Sequence, residues 1–169
     1  MAEQRTGYLG LGSNVGDSAG HLRAAVELLE AEGIEVDAVS SVYVTEPVGE
    51  ILDQPDFLNA AVRIRTGLGP EPLLDACKRV EAERGRSFDL PRHSPRPLDV
   101  DLLLLGDLEL TTERLTLPHP EVTTRRFVLV PLLELDPELT LPNGIDLRGC
   151  LQALPEGQRV ERDDSLGGG

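Results

Sequence analysis

Apolar and polar positions along this chain change period several times, and each change marks an element. Tyr8-Leu9-Gly10-Leu11-Gly12-Ser13 reads as a first strand whose glycines admit a close backbone or ligand. Leu22, Ala25, Val26 and Leu29 recur at helical spacing, with Asp17 or Ser18 as cap and Gly33 as stop. Ile34 to Thr45 is rich in β-branched residues and reads as a second strand. Phe57 to Thr66 alternates as a third, with Phe57, Asn59 and Ala61 on one face and Leu58, Ala60, Val62 and Ile64 on the other. Pro70 opens a second helix with an apolar stripe of Leu73, Leu74, Cys77 and Val80, which Gly85 stops. Leu102 to Leu105 is an apolar run too short to cross a membrane and reads as a buried strand.

The order to that point is β-α-β-β-α-β. It predicts an α+β, ferredoxin-like antiparallel sheet with helices on one face. A short strand pair (Leu108 to Leu117), the segment Leu117-Pro118-His119-Pro120 and a short helix (Thr124 to Leu135) form a C-terminal extension. The tail from Pro155 is polar and is expected to fray over about 156–169, within a single domain spanning 1–169. Two long loops, Glu46 to Asp56 and Arg86 to Pro97, stand out because loops of that length in a small domain are usually functional.

Charge narrows the function. The chain carries 16 basic and 30 acidic residues, a formal net charge of −14. That argues against nucleic acid and against an anionic membrane surface. Two cysteines and an N-terminus without an apolar signal core predict a cytoplasmic protein without a disulfide framework. Against this background Lys78 to Arg96 holds six basic and three acidic residues. This basic stretch leads into Pro95-Arg96-Pro97-Leu98-Asp99-Val100-Asp101.

Asp99 and Asp101 are two apart in a strand, so they share a face with Cα atoms roughly 6–7 Å apart. Two neighbouring carboxylates repel unless a cation lies between them, and Mg²⁺ suits oxygen ligands. The alternative is structural: one aspartate caps the strand and the other pairs with Arg96. Arginines crowding the loop favour a polyphosphate with its metal, which needs both signs of charge close together. Phe57 and Asn59 share a strand face at a loop junction. They are either a stacking ring with a carboxamide for a flat heterocycle or a core phenylalanine with a satisfied asparagine. His119 either touches phosphate or closes a turn. Gly10, Gly12 and Gly16 miss the dinucleotide fingerprint by one residue.

Taken in order, several segments resemble the 6-hydroxymethyl-7,8-dihydropterin pyrophosphokinase family of folate biosynthesis. They are Gly10-Leu11-Gly12-Ser13-Asn14, Gln54-Pro55-Asp56-Phe57-Leu58-Asn59-Ala60, Arg79-Val80-Glu81, Gly85-Arg86, the Pro95 to Asp101 segment, Leu117-Pro118-His119-Pro120 and Arg125-Arg126-Phe127. The resemblance runs from Tyr8 to about Asn143. It implies transfer of the terminal diphosphate of ATP to a pterin alcohol with release of AMP. It assigns two Mg²⁺ ions to Asp99 and Asp101, and phosphate and transition-state contacts to Arg86 and Arg96. ATP would meet Lys78, Glu81, Arg92, Arg96 and His119. The pterin would lie between Phe57 and Phe127, read by Asn59 and by the segment with Thr45, Pro47 and Val48. Small-molecule substrates and a monomer are implied, with neither nucleic acid nor membrane as partner.

The chain departs from the family pattern at His93-Ser94, where a Trp-Gly usually stands, at Phe88 and Asp89 in place of a basic pair, and at Lys78 in place of a glutamine. Gly85 to Pro97 is expected to be a mobile lid that orders when Mg·ATP supplies counter-charge, bringing Arg86 in on closure. Two other classes share some of these features: a non-catalytic nucleotide- or metal-sensing domain, and a two-metal nuclease, which the net charge disfavours.

Overall fold

Strand β1 (Arg5–Ser13) runs through the middle of the molecule and is paired along both edges. A computed structural model describes residues 4–14, 18–45, 57–83, 98–154 and 160–162. On one side β1 meets β4 (Phe57–Thr66) antiparallel from Arg5↔Thr66 to Ser13↔Leu58. On the other it meets β5 (Asp99–Leu105), again antiparallel, from Gly7↔Leu105 to Gly12↔Asp99. Strands β2 (Glu35–Val39) and β3 (Tyr43–Thr45) both pair with β4, and β8 (Val160–Arg162) adds to β3. The path β5-β1-β4-β3-β8 leaves β5 at one edge. This is the ferredoxin-like α+β arrangement that the element order predicts.

The two helices of the β-α-β-β-α-β unit cover one face, as expected, and the helices of the C-terminal extension cover the other. Leu22, Ala25 and Leu29 of α1 (Ser18–Ala31) and Leu73, Leu74, Ala76, Cys77 and Val80 of α2 (Pro70–Glu83) pack with Leu9, Leu11, Val62, Ile64, Val100 and Leu102. On the opposite face, Leu129 and Leu132 of α3 (Arg126–Leu135) and Leu147 of α4 (Leu147–Ala153) pack with Tyr8, Ala61, Leu103 and Leu104. A β-bulge between Tyr8 and Leu9 shifts the alternation of side chains along β5. Tyr8 pairs with Leu104 and Leu9 with Leu102, so Leu103 is the extra residue. The bulge sends Leu103 and Leu104 to one core and Leu102 and Leu105 to the other. Each fully buried leucine stabilises the fold by about 1.5–3 kcal/mol, before the cost of ordering the chain.

Other expectations shift in detail. The strand expected over Ile34 to Thr45 is split, because the Ser40 hydroxyl accepts from the Ala61 N–H at 2.8 Å and interrupts the ladder. Gly33, at φ 84°, ends α1 in the left-handed conformation. The strand pair narrows to β6 (Leu110–Thr111) and β7 (Thr116–Leu117), and the expected helix starts at Arg126. The frayed tail is corrected at Val160–Arg162, whose register with Tyr43–Thr45 makes it a sheet edge. Among the described residues, no helix is long and apolar enough to cross a membrane.

Polar side chains lock α3 onto the sheet. Glu134 accepts from the Ser41 N–H at 2.8 Å, from the Ser41 hydroxyl at 3.1 Å and from the Tyr43 hydroxyl. Burial pushes Tyr43 up, and with Glu134 as acceptor its pKa reaches about 12. Burial also acts to raise Glu134, but the hydrogen bonds from Tyr43 and Ser41 outweigh it and leave its pKa lowered. A depressed folded pKa means the contribution is complete above the ordinary glutamate range and lost as pH falls through the folded value. Glu134→Gln should therefore cost about 1 kcal/mol or less near neutrality, since the carboxylate is exposed and screened. The gap from wild type should close in acid. Urea unfolding of both proteins at about pH 7 and about pH 3 measures it, and a gap independent of pH would contradict the ionised-acceptor account.

Candidate functional site

The site begins with a row of residues across the sheet. Asp99 of β5 lies opposite Gly12, Gly12 opposite Asn59, and Asn59 opposite Tyr43. One step along, Asp101 lies opposite Gly10 and Gly10 opposite Ala61. Residues directly opposite in antiparallel strands share a face. Asp99, Asp101, Asn59 and Phe57 therefore project from the α3 face, separated by two positions without side chains. The carboxylates form one wall of a trough, the ring and the carboxamide form the other, and Gly10 and Gly12 form the floor.

The floor is tightest at Gly12. A Cβ there would meet Asn59 Oδ1 at 2.8 Å and Phe57 Cδ1 at 3.8 Å. Asn59 is buried, and its Nδ2 donates to Thr45 Oγ1 at 2.6 Å. That bond fixes the amide and leaves Oδ1 beside the floor. Phe57 is half-buried at the start of β4. Phe127 is half-buried in the first turn of α3, with the Arg125 guanidinium 5.5 Å from its ring centroid.

Asp99 is half-buried and Asp101 exposed, whereas Val100 between them points into the core. The strand thus offers two carboxylates to one side, oxygen donors of the kind a hard divalent cation takes. Among the described residues no group of three or more His, Cys, Asp or Glu side chains is arranged to hold a metal ion.

A second cleft, of about 340 Å³, wraps the open edge of β5. Lys78, Asp101, Thr112, Arg114, Thr116 and His119 are among its lining. The His119 N–H donates to the Leu103 carbonyl at 2.9 Å, and its Nδ1 accepts from the Glu121 N–H at 3.1 Å. The acceptor role of Nδ1 puts the proton of the neutral ring on Nε2. Burial lowers the His119 pKa, Asp101 opposes this and Arg125 reinforces it. Arg114 ties the β6–β7 hairpin to α2 through Glu71 at 3.1 Å and Asp75 at 2.5 Å. The strand pair was expected from the sequence, but its place as a wall of this cleft was not, since two-residue strands leave almost no periodic signal.

The structure thus brings Asp99, Asp101, Phe57, Asn59 and Thr45 to one sheet face, and Lys78 and His119 to the adjoining cleft that Asp101 also lines. Glu81 is fully buried, with Oε2 accepting from the Val100 N–H at 2.8 Å. Its position is inside the core edge rather than on a ligand surface. Pro47, Val48, Arg86, Arg92 and Arg96 lie outside the described residues, as do the loops over 46–56 and 84–97, the expected lid, Gly16, Asp17 and Gly85.

Fold and site together define a ferredoxin-like α+β protein with a glycine-floored trough on one sheet face beside an edge-strand cleft. A family model for 7,8-dihydro-6-hydroxymethylpterin-pyrophosphokinase matches residues 8–137, and the chain belongs to that family. It is 48% identical over 157 residues to the 2-amino-4-hydroxy-6-hydroxymethyldihydropteridine pyrophosphokinase of Methylorubrum extorquens, covering 91% of this chain and 98% of the relative. It is 46% identical over 129 residues to the Bacillus subtilis protein of the same name, covering 76% of each. A solved Plasmodium falciparum HPPK-DHPS chain with pteroate superposes with a TM-score of 0.69 at 14% identity, over 90% of this chain and 44% of that one. That likeness shows the fold, and this chain spans less than half of the solved one.

Proposed function

We propose that this chain moves the terminal diphosphate of ATP onto the hydroxymethyl group of 6-hydroxymethyl-7,8-dihydropterin, releasing AMP, as a cytoplasmic, monomeric, Mg²⁺-dependent step of folate biosynthesis. The observation that carries it is the trough: paired carboxylates on β5 face a ring and a fixed carboxamide on β4 across two glycines. Family membership supports the same substrates. The hydroxymethyl oxygen bonds to the β-phosphorus of ATP. The bond from that phosphorus to the oxygen bridging to the α-phosphorus breaks, AMP leaves with that oxygen, and the hydroxyl proton passes to solvent.

Asp99 and Asp101 hold the divalent cations, two by family likeness. When bound, Mg²⁺ neutralises polyphosphate charge and lowers the pKa of the attacking hydroxyl. The chain's own residues orient and enclose the reactants. Phe57 and Phe127 flank the pterin, and Asn59 Oδ1 accepts from its edge N–H while Thr45 holds the amide. His119 offers Nε2–H to phosphate, and Lys78 adds charge to the same cleft. Arg86 and Arg96 serve the transition state, with Arg92 on ATP and Pro47 and Val48 on the pterin, as the family likeness implies. Fully buried Glu81 has no surface to offer ATP and acts from within.

The test is product analysis with Mg·ATP, with and without the pterin alcohol. AMP that appears only with the pterin supports the reading. ADP, or turnover without pterin, overturns it. Phe57→Ala and Phe127→Ala should weaken pterin binding more than ATP binding, losing about 0.5–1.5 kcal/mol of stacking beyond lost burial. Calorimetry on each ligand decides this, and an equal loss for both would mean that the rings are only core.

A further inference from the structure

Strand β5 ends the sheet, so β1 supports it on one side only. Its two aspartates are thus on the strand most exposed to fraying. Two contacts from outside the sheet close the open edge. The His119 N–H meets the Leu103 carbonyl at 2.9 Å, and Glu81 Oε2 takes the Val100 N–H at 2.8 Å. They bracket Asp101. The Glu81 contact falls on the peptide that joins Asp99 to Val100, whose other side faces Gly12 of β1.

Glu81 is an unexpected residue for that task. It is 0% exposed and occupies the buried stripe of α2 after Cys77 and Val80. A carboxylate there is costly to desolvate, and Lys78 Nζ at 3.7 Å from Oε1 offsets only part of that cost. Burial pushes the neighbouring Cys77 thiol up to about 12, with the charges of Glu81 and Asp101 adding to the rise. Val100 turns its side chain to the core, so Glu81 reaches the strand from the edge and is separated from the trough by backbone.

We propose that Glu81 is a positioning residue for the Asp99/Asp101 pair: by clamping the peptide between them it sets their spacing and aim, and hence the affinity of the site for a divalent cation with polyphosphate. The inference rests on the reading of that pair as a cation site. Outer contacts that orient metal ligands are typically worth about 10–100-fold in metal affinity. What matters is an acceptor at the right reach, not the charge.

Glu81→Gln keeps the reach and an acceptor oxygen. Glu81→Asp keeps the charge and loses one methylene of reach. Mn²⁺ binding in the presence of a non-hydrolysable ATP analogue is measured by calorimetry, with pterin binding, melting temperature and amide exchange at Val100 measured in parallel. Glu81→Asp should weaken Mn²⁺ by about tenfold or more and speed exchange at Val100, with pterin affinity within about threefold. Glu81→Gln should hold Mn²⁺ within about threefold of wild type. Mn²⁺ affinity unchanged in Glu81→Asp, or lost in Glu81→Gln, overturns the proposal. Asp101→Asn separates the two levels. If it binds Mn²⁺ as wild type does, the cation site itself is wrong and the inference falls with it. If it loses Mn²⁺ while Glu81→Asp does not, only the positioning role is wrong.

Discussion

Asp99→Asn and Asp101→Asn each lower kcat by at least ~10²-fold while the protein stays folded. The two halves of that result have separate causes. Both side chains leave β5 on the trough side, Asp99 half-buried and Asp101 exposed, so neither fills a core position. Asparagine keeps the volume and removes one of two facing negative charges, which costs the fold little and relieves repulsion. The same exchange takes a charged oxygen donor from a site with two carboxylates, and no third metal-binding group stands in among the described residues. Steady-state turnover across a Mg²⁺ titration, with circular dichroism as the folding control, measures both. Wild-type turnover at limiting Mg²⁺ in either variant would remove the metal role.

How far the sequence carried depends on the range of the interaction. The aspartates share a face because strand geometry alone dictates it, and the helical stripe Leu73, Leu74, Cys77, Val80 is buried as its period requires. Gly10 and Gly12 were recognisable as places of close approach, but their role as a floor between β4 and β5 needed the register of three strands. The bulge at Tyr8/Leu9 is invisible in a run of four leucines. So is the competition by the Ser40 hydroxyl that breaks the strand after β2. Strand β8 comes from a tail whose composition is that of a loop, and only its edge pairing with β3 makes it a strand. Glu81 left one sequence signal: a charge where the α2 stripe calls for an apolar residue. The family resemblance assigned it to ATP, and the structure shows it fully buried with its carboxylate accepting from the Val100 N–H.

Gly12→Ala should cost about 1–3 kcal/mol of stability and weaken pterin binding by at least ~10-fold, with ATP affinity within a few-fold of wild type. The added methyl would lie 2.8 Å from Asn59 Oδ1, closer than carbon and oxygen tolerate. An exposed asparagine would swing away at little cost. This one is 8% exposed and tethered by its 2.6 Å bond to Thr45 Oγ1, so relief requires breaking that bond or shifting β1 between β4 and β5. Either response moves the oxygen proposed to read the pterin edge and narrows the trough beside Phe57 Cδ1. The cleft proposed for ATP lies at the far edge of β5, lined by Lys78 and His119, and is spared. Gly10→Ala is the control. Its methyl would meet Leu103 Cδ1 at 3.5 Å, an ordinary contact, so its stability should stay within about 1 kcal/mol of wild type. Thermal unfolding and calorimetry with pterin and with an ATP analogue read all three quantities. Wild-type pterin affinity in a folded Gly12→Ala protein would mean that the pterin does not lie on the β1 floor.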